Sequence, residues 1–111
     1  MEWEIIYYNE ALQKEILSLP TGIQARYVHL TKRMCIYGAN LGMPHTRAMK
    51  GGLFELRMKS KEGIGRVFYC TLVNKRIVML HSIIKKTQKT PSGDLNLAIS
   101  RMKEVKADAD T

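Results

Sequence analysis

Residues 53–84 read LFELRMKSKEGIGRVFYCTLVNKRIVMLHSII, and this stretch decides the fold. Its first part, LFELRMK at 53–59, alternates: Phe54, Leu56 and Met58 fall on one face of a strand, Glu55, Arg57 and Lys59 on the other. Residues 60–63 form a turn. The next run, IGRVFYCTLV at 64–73, is apolar on both faces except for Arg66, as a central strand requires. Asn74-Lys75 offers a tight hairpin into a third strand, 76–84. Three strands joined by short turns make an antiparallel meander.

The flanks add helices. EWEIIYY at 2–8 reads as another strand, and Asn9 as the N-cap of a short helix with Leu12, Ile16 and Leu17 on one face. Pro20 ends it. Thr21-Gly22-Ile23-Gln24 has capping-box spacing for a second helix, whose stripe is Ile23, Tyr27, Leu30 and Met34, with Gly38 closing it. Residues 38–52 read as a Gly-rich loop. After the meander, Thr90 as N-cap and Pro91 at the first position open a last helix with Leu95, Ala98, Ile99 and Met102 on its buried stripe. Residues 107–111 are expected to fray. The order β-α-α-β-β-β-α predicts one α+β domain over residues 1–106, a four-stranded antiparallel sheet backed by two N-terminal helices and a C-terminal one.

Composition narrows the function classes. The chain has 111 residues, 45% hydrophobic, which suits one folded core. No apolar run is long enough to span a bilayer. The N-terminus carries acids and no basic region, so a signal peptide is not expected. Cys35 and Cys70 lie in apolar segments and read as free thiols. The net charge is +8 and its placement is uneven: between Glu15 and Asp94 lie fourteen Lys or Arg residues against two acids, Glu55 and Glu62. A field of that sign attracts phosphates or an acidic protein. The densest cations are in HSIIKKTQKTP at 81–91, where a strand ends in Lys85, Lys86 and Lys89 before the Thr-Pro helix start.

LFELR at 53–57, GRVFY at 65–69 and HSIIKKTQKTP at 81–91, followed by a helix with Ala98 and Arg101, resemble the RelE/HigB superfamily of toxins from type II toxin–antitoxin modules, in its phage-related HigB-like branch. The resemblance implies a ribosome-dependent mRNA endonuclease that inhibits translation. It implies a reaction without metal or other cofactor, in which the ribose 2′-hydroxyl attacks the adjacent phosphate. The implied partners are a cognate HigA-like helix-turn-helix antitoxin, the ribosome and mRNA, with operator DNA reached only through the antitoxin. The implied location is the cytoplasm, with no membrane contact.

That chemistry needs a base for the 2′-OH, cations for the phosphate oxygens and an acid for the leaving 5′-oxygen. Arg66, the lone charge of its strand, is the candidate transition-state clamp; the alternative is a structural ion pair with Glu55 or Glu62. Lys85 or Lys86 is assigned the proton transfer, since crowding by cations depresses a lysine pKa. His81 is a further candidate base, although its alternation with Ile77, Met79 and Ile83 suits a packed histidine. Arg57, Lys59 and Lys89 are candidate phosphate contacts and Tyr69 a candidate base-stacking residue. Arg66→Ala is expected to abolish toxicity without unfolding the chain. The second function class is a non-catalytic toxin like the ParE branch of the same fold, acting on DNA gyrase or another protein.

Overall fold

Asn74 and Lys75 both adopt left-handed backbone, φ 65° and 56°, the paired conformation that lets a two-residue turn follow the twist of a hairpin. The computed structural model, which describes residues 2–85 and 90–109, places this hairpin at the centre of the sheet. The elements in chain order are β1 (Glu4–Tyr7), α1 (Glu10–Leu17), α2 (Thr21–Tyr37), β2 (Thr46–Ala48), a 3-10 turn (Lys50–Gly52), β3 (Phe54–Ser60), β4 (Gly63–Leu72), β5 (Arg76–Lys85) and α3 (Ser92–Ala109).

The α+β class holds, with one more strand than the meander and β1 supply. The order is β1-β5-β4-β3-β2; β1 runs parallel to β5 and every other pair is antiparallel. The fifth strand, β2, lies inside the segment 38–52 read as loop. Three residues, Thr-Arg-Ala, carry no periodic signal; they become strand only because the edge of β3 offers partners. The α3 helix extends past Ala107, through Ala109.

Helices cover both faces. Leu12, Ile16, Ile23, Tyr27, Leu30 and Met34 of α1 and α2 pack on Leu56, Met58, Val67, Tyr69, Ile77 and Met79. Ala98 and Met102 of α3 pack on the opposite face against Phe68, Cys70, Val78 and Leu80. The approach of α2 is closest at Gly65, where a β-carbon would lie 2.5 Å from Ile23 Cγ2 and 2.9 Å from Met58 Cε. Cys35 and Cys70 are both free.

The caps differ in one place from the sequence reading. Asn9 Oδ1 accepts from the Leu12 N–H at 2.8 Å, as an N-cap should. The T-x-x-Q box is not formed: Pro20 is the N-cap of α2 and no side chain caps it locally. Glu62, from the β3–β4 turn, accepts from the Gly22 N–H at 2.6 Å. A carboxylate from across the fold thus serves the first turn, where the helix dipole favours it. No helix among the described residues is long and apolar enough to cross a membrane.

Candidate active site

Cross-strand register lays out the site on the α3 face of the sheet. One row runs Arg57, Arg66, Ile83 across β3, β4 and β5; the next runs Glu55, Phe68, His81; the row beyond runs Lys59, Ile64, Lys85. Candidates from three strands therefore share one face, as the alternation of residues 53–59 predicts. The side chains on it are not equivalent.

Arg66 is 2% exposed and its Nη1 donates to Glu55 Oε2 at 3.1 Å, with Glu55 itself 1% exposed. The same nitrogen donates to Thr90 Oγ1 at 3.3 Å. Of the two roles open to Arg66, the structure realises the ion pair with Glu55. Arg57 holds the other carboxylate oxygen, Nε to Oε1 at 3.7 Å, and is half-buried. One carboxylate between two guanidiniums leaves a net positive cluster. The two arginines differ in access: Arg57 reaches solvent, Arg66 does not. Thr90 is tied to this cluster as well as preceding α3, so its hydroxyl fastens the segment before α3 to the sheet.

His81 reaches this face through a bulge. Phe68 pairs with His81 and Tyr69 with Met79, so Leu80 is the extra residue on β5. Strict alternation would set His81 beside Met79 in the α1/α2 core. The bulge turns it instead to the α3 side, where its ring stacks near Phe68 with centroids 6.4 Å apart. Its Nε2 lies 2.8 Å from Asp94 Oδ1, in the first turn of α3. The Leu80 carbonyl accepts from Arg101 Nη1 at 2.7 Å. Arg101 also covers the Tyr8 ring at 4.5 Å, and Tyr8 donates to Glu104 at 2.7 Å. The helix that supplies Asp94 is thereby fixed to β5 and to the residue after β1.

Sequence reasoning missed Asp94, Thr90 and the site's second boundary. His81 and Asp94 are thirteen residues apart and sit on different elements; only the bulge and the docking of α3 join them. Arg57 and Lys59 line a cleft of about 390 Å³ at the β3 edge, together with Arg26, Pro44, His45 and Ile64.

Tyr69 is corrected as a candidate for base stacking. It is fully buried on the opposite face, stacks on Phe54 at 5.4 Å and donates to the Ala39 carbonyl at 2.6 Å. Burial raises its phenol pKa, which makes it a weaker acid than an exposed tyrosine. Lys85 ends β5 opposite Ile64. Lys86 and Lys89 lie outside the described residues.

A comparison with curated proteins returns no match. A protein-family model, Phage derived protein Gp49-like (DUF891), matches residues 14–103, from the second turn of α1 to the last turns of α3. That span contains Glu55, Arg57, Arg66, His81, Thr90, Asp94 and Arg101, and the chain belongs to this Gp49-like family, which is of the RelE/HigB-like toxin–antitoxin type.

Proposed function

We propose that this chain is the toxin of a toxin–antitoxin module and acts as a ribosome-dependent mRNA endonuclease, held in check by a HigA-like antitoxin. The observation that carries the reading is the His81–Asp94 pair at 2.8 Å, in the same cross-strand row as Glu55 and one row from Arg57 and Arg66 on the same sheet face. A carboxylate on one imidazole nitrogen fixes the tautomer and leaves the other nitrogen to accept a proton. With Asp94 accepting from Nε2–H, Nδ1 is the basic atom. It takes the proton of the ribose 2′-OH. The 2′-oxygen bonds to phosphorus, the P–O5′ bond breaks, and the 5′-oxygen leaves with a proton assigned to Lys85 or Lys86. The products are a 2′,3′-cyclic phosphate and a 5′-hydroxyl. Arg57, with Lys59 and Lys89, offsets the charge that grows on the phosphate oxygens. Arg66 acts through Glu55 as a positioning residue for Arg57. The reaction draws on protein groups alone, as the resemblance to RelE/HigB toxins implies.

One observation favours the non-catalytic, ParE-like reading. Arg66 is enclosed and already bonded to Glu55, so it offers little to a substrate. The two readings separate on ribosomes programmed with a defined message. The nuclease reading expects a cut whose 5′ fragment ends in a cyclic phosphate, and no cut when the scissile ribose is 2′-deoxy. Intact message together with an induced DNA-damage response would transfer the assignment to the second reading.

A further inference from the structure

The uncovered edge of β3 holds a second cationic feature, distinct from the His81–Asp94 pair. β2 begins at Thr46 opposite Leu56, and the Arg57 N–H donates to the His45 carbonyl at 2.9 Å just before it, so residues 58–60 extend beyond this cover. Into the resulting notch come Arg26 from α2, His45 from the residue before β2, and Arg57 and Lys59 from β3. Pro44 and Ile64 provide its apolar walls. Among the described residues none of those lining it is an acid. Arg57 leans on Glu55 from the inner side, but that carboxylate is shared with Arg66 and leaves the notch positive. Burial lowers the His45 pKa, and Arg33, Arg26 and His29 on the adjacent face of α2 lower it further. Cations gathered from three elements repel one another, and an anion placed among them removes that repulsion. Arg26 offers a planar fork of donors suited to phosphate oxygens. The cleft, about 390 Å³, has room for more than a bare phosphate, and its apolar walls suit a ribose or base.

We propose that this cleft binds a backbone phosphate and its nucleoside from an RNA strand, with Arg26 and Lys59 as phosphate contacts and His45 as a third donor. The source of the strand rests on the nuclease reading; the cleft adds a second point of grip. Arg57 joins the two, because it borders the cleft and the Glu55 cluster alike. A strand crossing the β3 edge at Arg57 passes from the cleft to the row that ends near His81. An acidic protein segment would also meet cations here, but a notch with apolar walls selects a flat ring beside a compact charge.

The test uses the full chain and a 2′-O-methyl oligonucleotide, which lacks the attacking hydroxyl and survives the assay. Binding is measured by fluorescence anisotropy across a salt series, for the parent and for Arg26→Ala combined with Lys59→Ala. Both positions are solvent-accessible, so the fold should tolerate the change. The double variant is expected to bind roughly tenfold more weakly or worse. Its plot of log K against log salt should be shallower by about 1.4, at about 0.7 per phosphate contact on a single strand. In the parent, the His45 ring-proton titration should move to higher pH when the oligonucleotide is added. Parent-like affinity and slope in the double variant would overturn the proposal. So would an unmoved His45 titration, or a defect confined to antitoxin binding. A parent that binds in the expected way but leaves ribosome-bound message whole would keep the cleft and sink the nuclease reading. A parent that cuts message, with a double variant equal to it in kcat/KM and in salt slope, would do the reverse.

Discussion

Arg66 and Glu55 sit at 2% and 1% exposure, 3.1 Å apart, in a region where an unpaired charge is costly. Arg66→Ala should therefore destabilise the chain by about 3–5 kcal/mol, because it strands the Glu55 carboxylate. This revises the expectation that the substitution would spare the fold. Urea denaturation measures it, and pairing Arg66→Met with Glu55→Leu should restore much of the loss; a single variant as stable as the parent would remove the ion pair from the account. His81 behaves differently, being half-buried beside the Asp94 carboxylate. His81→Ala should lower the cleavage rate by about 10²- to 10⁴-fold with little change in stability, and Asp94→Asn should lower it through the wrong tautomer. Single-turnover cleavage on programmed ribosomes checks both. Parent-like rates in each would confine the pair to a structural staple between β5 and α3. At this scale the sequence was informative about residue types and poor about pairings. Arg66 could be seen to need an acid or a polar site, since it interrupts an apolar strand. That His81 would meet Asp94 could not be seen, because alternation sends it to the other face.

The elements most legible in the sequence were those fixed by local rules. The stripe Ile23, Tyr27, Leu30, Met34 on α2 follows from periodicity and is buried as it requires; on β3 the alternation sets Leu56 and Met58 in the core, with Phe54 half-buried and Glu55 enclosed on the other face. The β4–β5 hairpin follows from the residues of its turn. What stayed hidden depends on distant partners. β2 exists because β3 has a free edge, β1 joins β5 in parallel only after two helices have crossed a face, and the α2 cap comes from Glu62. The bulge on β5 leaves no compositional trace, yet it decides which face carries His81. Close helix-to-sheet approach gives a test at this scale. Gly65→Ala would set a β-carbon 2.5 Å from Ile23 Cγ2, so α2 must move outward at a cost of about 1–3 kcal/mol. Gly93 in the first turns of α3 has nothing within 4 Å of that position, and Gly93→Ala should be neutral or stabilising by about 0.5–1 kcal/mol. Thermal or urea melts of the two variants give the contrast. Equal stability at position 65 would mean that α2 and β4 are not locked together there.

Across the whole molecule, the excess of +8 is sharpened by where the two central acids go. Glu55 is enclosed between Arg57 and Arg66, and Glu62 is spent on the N-terminus of α2. Neither acid is left to screen the fourteen cations between Glu15 and Asp94, so that part of the surface presents a positive field. A family of the toxin–antitoxin type implies an antitoxin partner, and the simplest way for it to silence this chain is to neutralise that field. RNA and antitoxin would then compete for the same cations. At an antitoxin concentration about 100 times its Kd, the apparent Kd for a 2′-O-methyl oligonucleotide should rise about a hundredfold, since the free fraction falls by that factor. Linkage requires the converse as well: saturating oligonucleotide must weaken the antitoxin by the same factor at equal saturation. Both effects should shrink as salt is raised, because counterions already screen the shared cations. Competition anisotropy with the product of the adjacent gene measures all three. A ternary complex in which each ligand keeps its own affinity would show that the antitoxin binds away from the basic face and silences the chain by some other contact.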